Sequence, residues 1–133
     1  MSVQPLSSRG VGTEIDDVAL TIPASAGYLV LARLALSAVC RLTPLEPEEV
    51  ADLKLAVTES SNEFIEEGET GRRLDYLVSL EADRLTVEVS GTPAAGQAPE
   101  QELGRAIIEA TSDAFEFEPG RTVLTKRLAA GAV

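Results

Sequence analysis

The chain has 133 residues, 44% of them apolar, with 22 acidic and 11 basic residues, one cysteine, no histidine and a net charge of −11. That length fits one domain with a real core, and the acidity argues against direct binding to nucleic acid, which needs a basic patch. Without histidine and with Cys40 alone, zinc sites, Ser-His and Cys-His triads and an internal disulfide are excluded.

A lone cysteine suits a reducing cytoplasm. In an apolar helix it reads as a buried, inert thiol, the alternative being a reactive one. No run reaches the roughly 18 apolar residues of a membrane helix; residues 28–42 come closest, interrupted by Arg33 and Arg41. The first seventeen residues show no apolar segment of the signal-peptide kind, so a cytoplasmic protein without membrane contact is expected. The acidic surface suits a basic partner, such as a nucleic-acid-binding protein, or simply keeps the chain in solution.

Residues 1–13, rich in Ser, Gly and Pro, read as a flexible arm ahead of a single domain over 14–130. "DVALTIPA" (17–24) alternates Val18, Leu20 and Ile22 as a strand does. "ASAGYLVLARLALSAVCRL" (24–42) reads as a helix with Ser25 as N-cap. Its Leu31, Leu34, Ala35, Ala38 and Leu42 share one face. Leu29, Val30, Leu36 and Val39 make other faces apolar too, so this helix sits deep or offers a face to a partner.

"TPLEPEEV" leads into a second helix with Pro47 at its first position and Glu48 and Glu49 at the positive end of its dipole. That helix is expected to run to about Glu67 and stop at Gly68, with Val50, Leu53, Val57, Ser61 and Phe64 inward. Residues 73–91 read as a hairpin turning at "EADR", and 91–101 as a loop. A short helix follows over 102–113, with Leu103, Ile107 and Ala110 inward. Residues 114–128 form a second hairpin turning at "PG". The expected fold class is α/β, more narrowly an α+β two-layer sandwich. It has a mixed, mostly antiparallel five-stranded sheet with three helices on one face.

Three pieces of the chain carry a resemblance. "DLKLAVTESSNEFIEEG" looks like the helix bearing the Glu and Asn of the GHKL (histidine-kinase-like) ATPases. "LTVEVSGTPAAG" stands where their strand ends in an Asp-x-Gly-x-Gly turn, and "ELGRAIIEATSDAFEFEPGRTVLTKRL" is similar to their closing helix and hairpin. The short layout beginning "LTIPASAGYLVLARLAL" resembles the anti-sigma factors of serine-protein-kinase ancestry, the stress-response and sporulation switch proteins. The likeness covers residues 15–128 and lies in the order and spacing of the pieces.

The resemblance implies a pocket for Mg-ATP, a sigma factor as captive, an anti-sigma-factor antagonist as competitor, and a homodimer. It puts Glu59 where kinase members carry the carboxylate that orients the attacking serine. Four residues on, Glu63 occupies the magnesium position, and Asn62 is one residue early, about 100° away around the helix. Ser90 and Gly91 stand for the adenine turn, with no Asp acceptor; that loss costs roughly 1.5–3 kcal/mol, or about ten- to a hundredfold in affinity. Gly104 and Arg105 stand for the phosphate-holding segment, beside Glu100 and Glu102.

Two motif elements are thus degraded and one is shifted, so the expectation is no cofactor or weak ATP or ADP binding with magnesium. Glu59 to Glu66 then read as a solvated face or as a contact for a basic partner. On the first helix, the resemblance implies sigma contact through Arg33, flanked by Leu29 and Leu36. An internal salt bridge or a solvent-facing snorkel is the alternative for Arg33. The rival function is an active serine kinase acting on the antagonist.

Overall fold

The computed structural model describes residues 2–6, 16–66, 68–95 and 98–129. Six strands form one antiparallel sheet: β1 (Ser2–Leu6), β2 (Asp16–Pro23), β3 (Arg73–Leu80), β4 (Arg84–Gly91), β5 (Ala114–Glu118) and β6 (Arg121–Arg127). Their order across the sheet is β1-β2-β3-β4-β6-β5. Among the described residues three α-helices accompany the sheet: α1 (Leu29–Cys40), α2 (Pro47–Asn62) and α3 (Ala98–Thr111).

The five expected strands are all present, and β1 is the addition. Ser2 to Leu6 pair with Thr21 to Asp17 and so belong to the sheet rather than to a free arm; residues 7–13 of that expected arm lie outside the described residues. Pro5 masked the strand in the sequence. Proline lacks the N–H that a central strand must donate, but an edge strand tolerates it, and β1 is an edge.

Alternation decides the layers. Leu20 and Ile22 of β2, Leu74, Tyr76 and Val78 of β3, Leu85, Val87 and Val89 of β4, and Leu124 of β6 are buried on one face. Against that face pack Leu29, Ala32, Leu36, Val39 and Cys40 of α1, Leu53, Ala56 and Val57 of α2, and Ile108 of α3. Lys126 stands on the same face, its ammonium 3.7 Å from Asp113 and 4.0 Å from Glu49. Two carboxylates at the rim thus compensate a cation that alternation turns inward.

The helix ends follow local chemistry with two corrections. α2 opens with Pro47 at its first position and a reciprocal capping box between Glu46 and Glu49. Ser25 makes no side-chain cap; the chain enters α1 through a 3-10 turn at Ala26–Tyr28. α2 stops at Asn62, five residues before the expected end, and Gly68 (φ +84°) shapes the loop that follows. The hairpins turn where expected, with Gly120 supplying φ +78° between β5 and β6.

Two inward stripes are also corrected. In α1, Leu34 is 61% exposed and Leu42, just past the helix, is 72% exposed, whereas Leu29 and Leu36 are 6% and 2% exposed. Both faces of α1 are apolar, so periodicity did not choose between them; contact with β2, β3 and α2 does. In α3 the inward residues are Gly104 and Ile108 rather than Leu103, Ile107 and Ala110. That helix begins four residues earlier than expected and rests on α2.

Under α2, two buried serines return their hydroxyls to the helix: Ser60 donates to the Ala56 carbonyl at 2.8 Å and Ser61 to the Val57 carbonyl at 2.7 Å. Ser61 Oγ also lies 2.6 Å from the Tyr76 hydroxyl. Its single proton is already donated, so Tyr76 is the donor. Burial pushes the Tyr76 hydroxyl and the Cys40 thiol above their ordinary pKa values, opposed in the first case by Ser61, whose hydroxyl can turn its proton toward a phenolate, and in the second by the Lys54 charge. Cys40 is therefore a buried, protonated thiol, in keeping with its inert reading.

Candidate functional site

A cavity of about 400 Å³ opens between the C-terminal half of α2 and the start of α3, bordered by Glu59, Asn62, Glu63, Ile65, Ala94, Glu100, Gln101, Leu103 and Gly104. Its size is that of a small-molecule site. The helical repeat sets the acidic wall. Glu59 and Glu63, one turn apart, face the same way, and Asn62 is rotated onto the exposed rim.

Glu63 is not free to ligate. Its side chain is 9% exposed and its two oxygens accept from Arg105, at 3.2 Å from one guanidinium nitrogen and 3.4 Å from Nε. The Arg105 guanidinium lies 4.4 Å over the ring of Phe117 in β5. One planar cation thus joins α2, α3 and the sheet through a two-point hydrogen-bonded pair and a cation–π contact. Sequence reasoning missed Phe117 as part of this group, and the 42-residue separation of Glu63 and Arg105 leaves no local signal for the pairing.

Gly104 borders the cavity, but it lies six residues into α3, where a backbone N–H is spent on the helix. It does not hold out an N–H for a phosphate. What it provides is close approach: a Cβ here would stand 3.3 Å from Glu59 Oε1. Ser90 is also corrected. It sits between inward Val89 and Gly91 in β4 and pairs with Asp75 and Arg121 on the opposite face of the sheet from the helices. Gly91 lies beside the site without bordering it, and a Cβ there would meet the Arg73 carbonyl at 3.2 Å and Phe64 and Leu74 at 3.3 Å. Its open space is already used by the core.

Glu66, expected on the same flank as Glu59, lies beyond the helix end and serves a different purpose. One oxygen accepts from the Arg72 guanidinium at 2.8 Å and the other from the Ala95 N–H at 3.1 Å. Arg72 also donates to the Thr92 carbonyl, and the Ala94 N–H donates to the Glu63 carbonyl at 3.0 Å. Arg72 was not among the expected site residues.

The residues present fit a magnesium nucleotide poorly. Glu59, Glu63 and Glu100 border the cavity and the nearby Arg105 is engaged by Glu63. Among the described residues no group of three or more Asp, Glu or Cys is arranged to hold a metal ion. A triphosphate entering this wall meets carboxylates before it meets a cation. No protein-family model and no curated protein matches this chain.

The other candidate surface is α1. Leu29 and Leu36, expected at a partner contact, belong to the core and cannot serve as one. The large exposed apolar residues along α1 are Val30 and Leu34, with Tyr28 before it and Leu42 after it. Residues 24–45 contain two arginines and no acid, against a net −11 for the whole chain. Arg33 is half-buried, and among the described residues neither Arg33 nor Arg41 forms an ion pair. No helix of the described residues is long and apolar enough to cross a membrane.

Proposed function

We propose that this chain is an anti-sigma factor built on a GHKL ATPase-like frame: a cytoplasmic, homodimeric protein-capturing domain that holds an alternative sigma factor and yields it to an antagonist. The observation that carries this reading is the outer face of α1. Val30 and Leu34, with Tyr28 and Leu42 at its ends, expose apolar area beside Arg33 and Arg41, which form no ion pair among the described residues, on an otherwise acidic molecule. An apolar centre with arginine at its margin is the composition of a protein interface. The contact residues in this reading are Val30, Arg33 and Leu34.

A second reading, an active serine kinase phosphorylating the antagonist with Mg-ATP, is favoured by one observation: Glu59, Asn62 and Glu63 border a single cavity of about 400 Å³. The acidic wall and the Glu63–Arg105 pair weigh against it. Calorimetric titration with ATP and ADP plus magnesium, beside pull-downs against the sigma factors of the host, separates the two. The anti-sigma reading expects submicromolar capture of a sigma factor with no nucleotide present. Capture of none, or phosphoserine on an antagonist incubated with Mg-ATP, would overturn it.

A further inference from the structure

Residues 92–95 leave β4 after Gly91 and cross the end of α2 as a strap held mainly by polar contacts. The Ala94 N–H donates to the Glu63 carbonyl at 3.0 Å, the Ala95 N–H to Glu66 at 3.1 Å, and Arg72 joins Glu66 at 2.8 Å while also donating to the Thr92 carbonyl. Thr92, Pro93 and Ala95 are exposed, so little apolar burial adds to the fastening. Glu66 therefore holds the strap at Ala95 and also holds Arg72, the arginine before β3 whose guanidinium grips the strap at Thr92. Ala94 and Ile65 border the α2–α3 cavity, so this fastening sets one of its walls.

We propose that Glu66 is the catch of a releasable strap: held by Arg72 it keeps residues 92–95 against α2 and the cavity narrow, and undone it lets Ala94 lift and the cavity open. Three features support release as a local event. The Glu66 side chain is 31% exposed, so water competes for it. Arg72 Nε is buried and has no acceptor among the described residues, so the fastened arrangement leaves one donor unmatched. Segments held by few apolar contacts and exposed hydrogen bonds open well below the cost of global unfolding. The proposal goes beyond the anti-sigma reading and does not depend on what enters the cavity.

The test is amide hydrogen exchange by NMR on the full chain with Glu66→Ala and, separately, Arg72→Gln. The diagnostic amide is Ala94, whose acceptor, the Glu63 carbonyl, neither substitution removes. It should exchange about tenfold faster or more in both variants, while the core amides of Tyr76 and Val87 keep their protection. A reporter thiol, Ala94→Cys, should react correspondingly faster in the Glu66→Ala background; the native Cys40 is buried and stays silent. Ala94 exchange unchanged within about twofold in both variants would overturn the proposal. So would equal acceleration of the core amides, which would make the fastening part of global stability rather than a catch.

Discussion

Removing either partner of the Glu63–Arg105 pair should have unequal consequences, because the two ends differ in exposure. The Glu63 side chain is 9% exposed and that of Arg105 is 41% exposed. Glu63→Gln keeps the shape and frees a guanidinium that still reaches water and still rests 4.4 Å from Phe117; the expected loss is about 1 kcal/mol. Arg105→Met keeps apolar contact with Phe117 but strands a carboxylate with little access to water. Full burial of an unpaired charge costs about 3–5 kcal/mol, and the exposure that remains reduces the expected loss to about 2–3 kcal/mol. The double variant should recover most of the difference, because the neutral amide needs no cation. Urea unfolding followed by circular dichroism measures all three, provided the slope m stays constant. If Arg105→Met costs no more than Glu63→Gln, the carboxylate is solvated and the account of the α2–α3 wall fails.

Further outcomes follow from the same geometry. Leu34→Glu should change stability by no more than about 0.5 kcal/mol and, on the proposed anti-sigma reading, abolish capture of the sigma factor, whereas Leu36→Ala should cost about 2–5 kcal/mol; equal losses of stability would mean that the two faces of α1 are wrongly assigned. Ser61→Ala leaves the Tyr76 hydroxyl without its acceptor and should cost about 1–3 kcal/mol, and adding Tyr76→Phe should restore part of that loss. Tyr76 and Cys40 both have raised folded-state pKa values. Their unfolded forms therefore lose protons first, so stability is fully present below about pH 9 and falls as pH rises through the folded values. Denaturant midpoints taken from pH 8 to pH 11 should decline, and decline less steeply in Tyr76→Phe. Gly91→Ala should destabilise by about 1–3 kcal/mol, since the new Cβ presses at 3.2 Å on the Arg73 carbonyl, part of a paired strand that yields less readily than a side chain; an unchanged melting temperature would contradict the packing described there.

Much of the site was legible in residue order. Glu59 and Glu63 stand one helical turn apart on a helix whose start Pro47, Glu48 and Glu49 announce, and both do border one cavity. Ser90 and Gly104 failed for a shared reason: their expected roles depend on which way a strand alternates and where a helix begins. A one-residue shift in either reverses a side chain or consumes an N–H.

By itself the sequence determined the elements other than β1. Alternation in 73–91, the turns at "EADR" and "PG", and the start of α2 are local matters of side-chain period and backbone chemistry. Tertiary structure decided what local chemistry leaves equal. It turned Leu36 rather than Leu34 inward on a helix with apolar residues on both faces, and it drew Ser2–Leu6 onto the open edge of β2. It also matched Glu63 with Arg105 across 42 residues. Each of these depends on the surface presented by a distant element, and no window of sequence contains that surface.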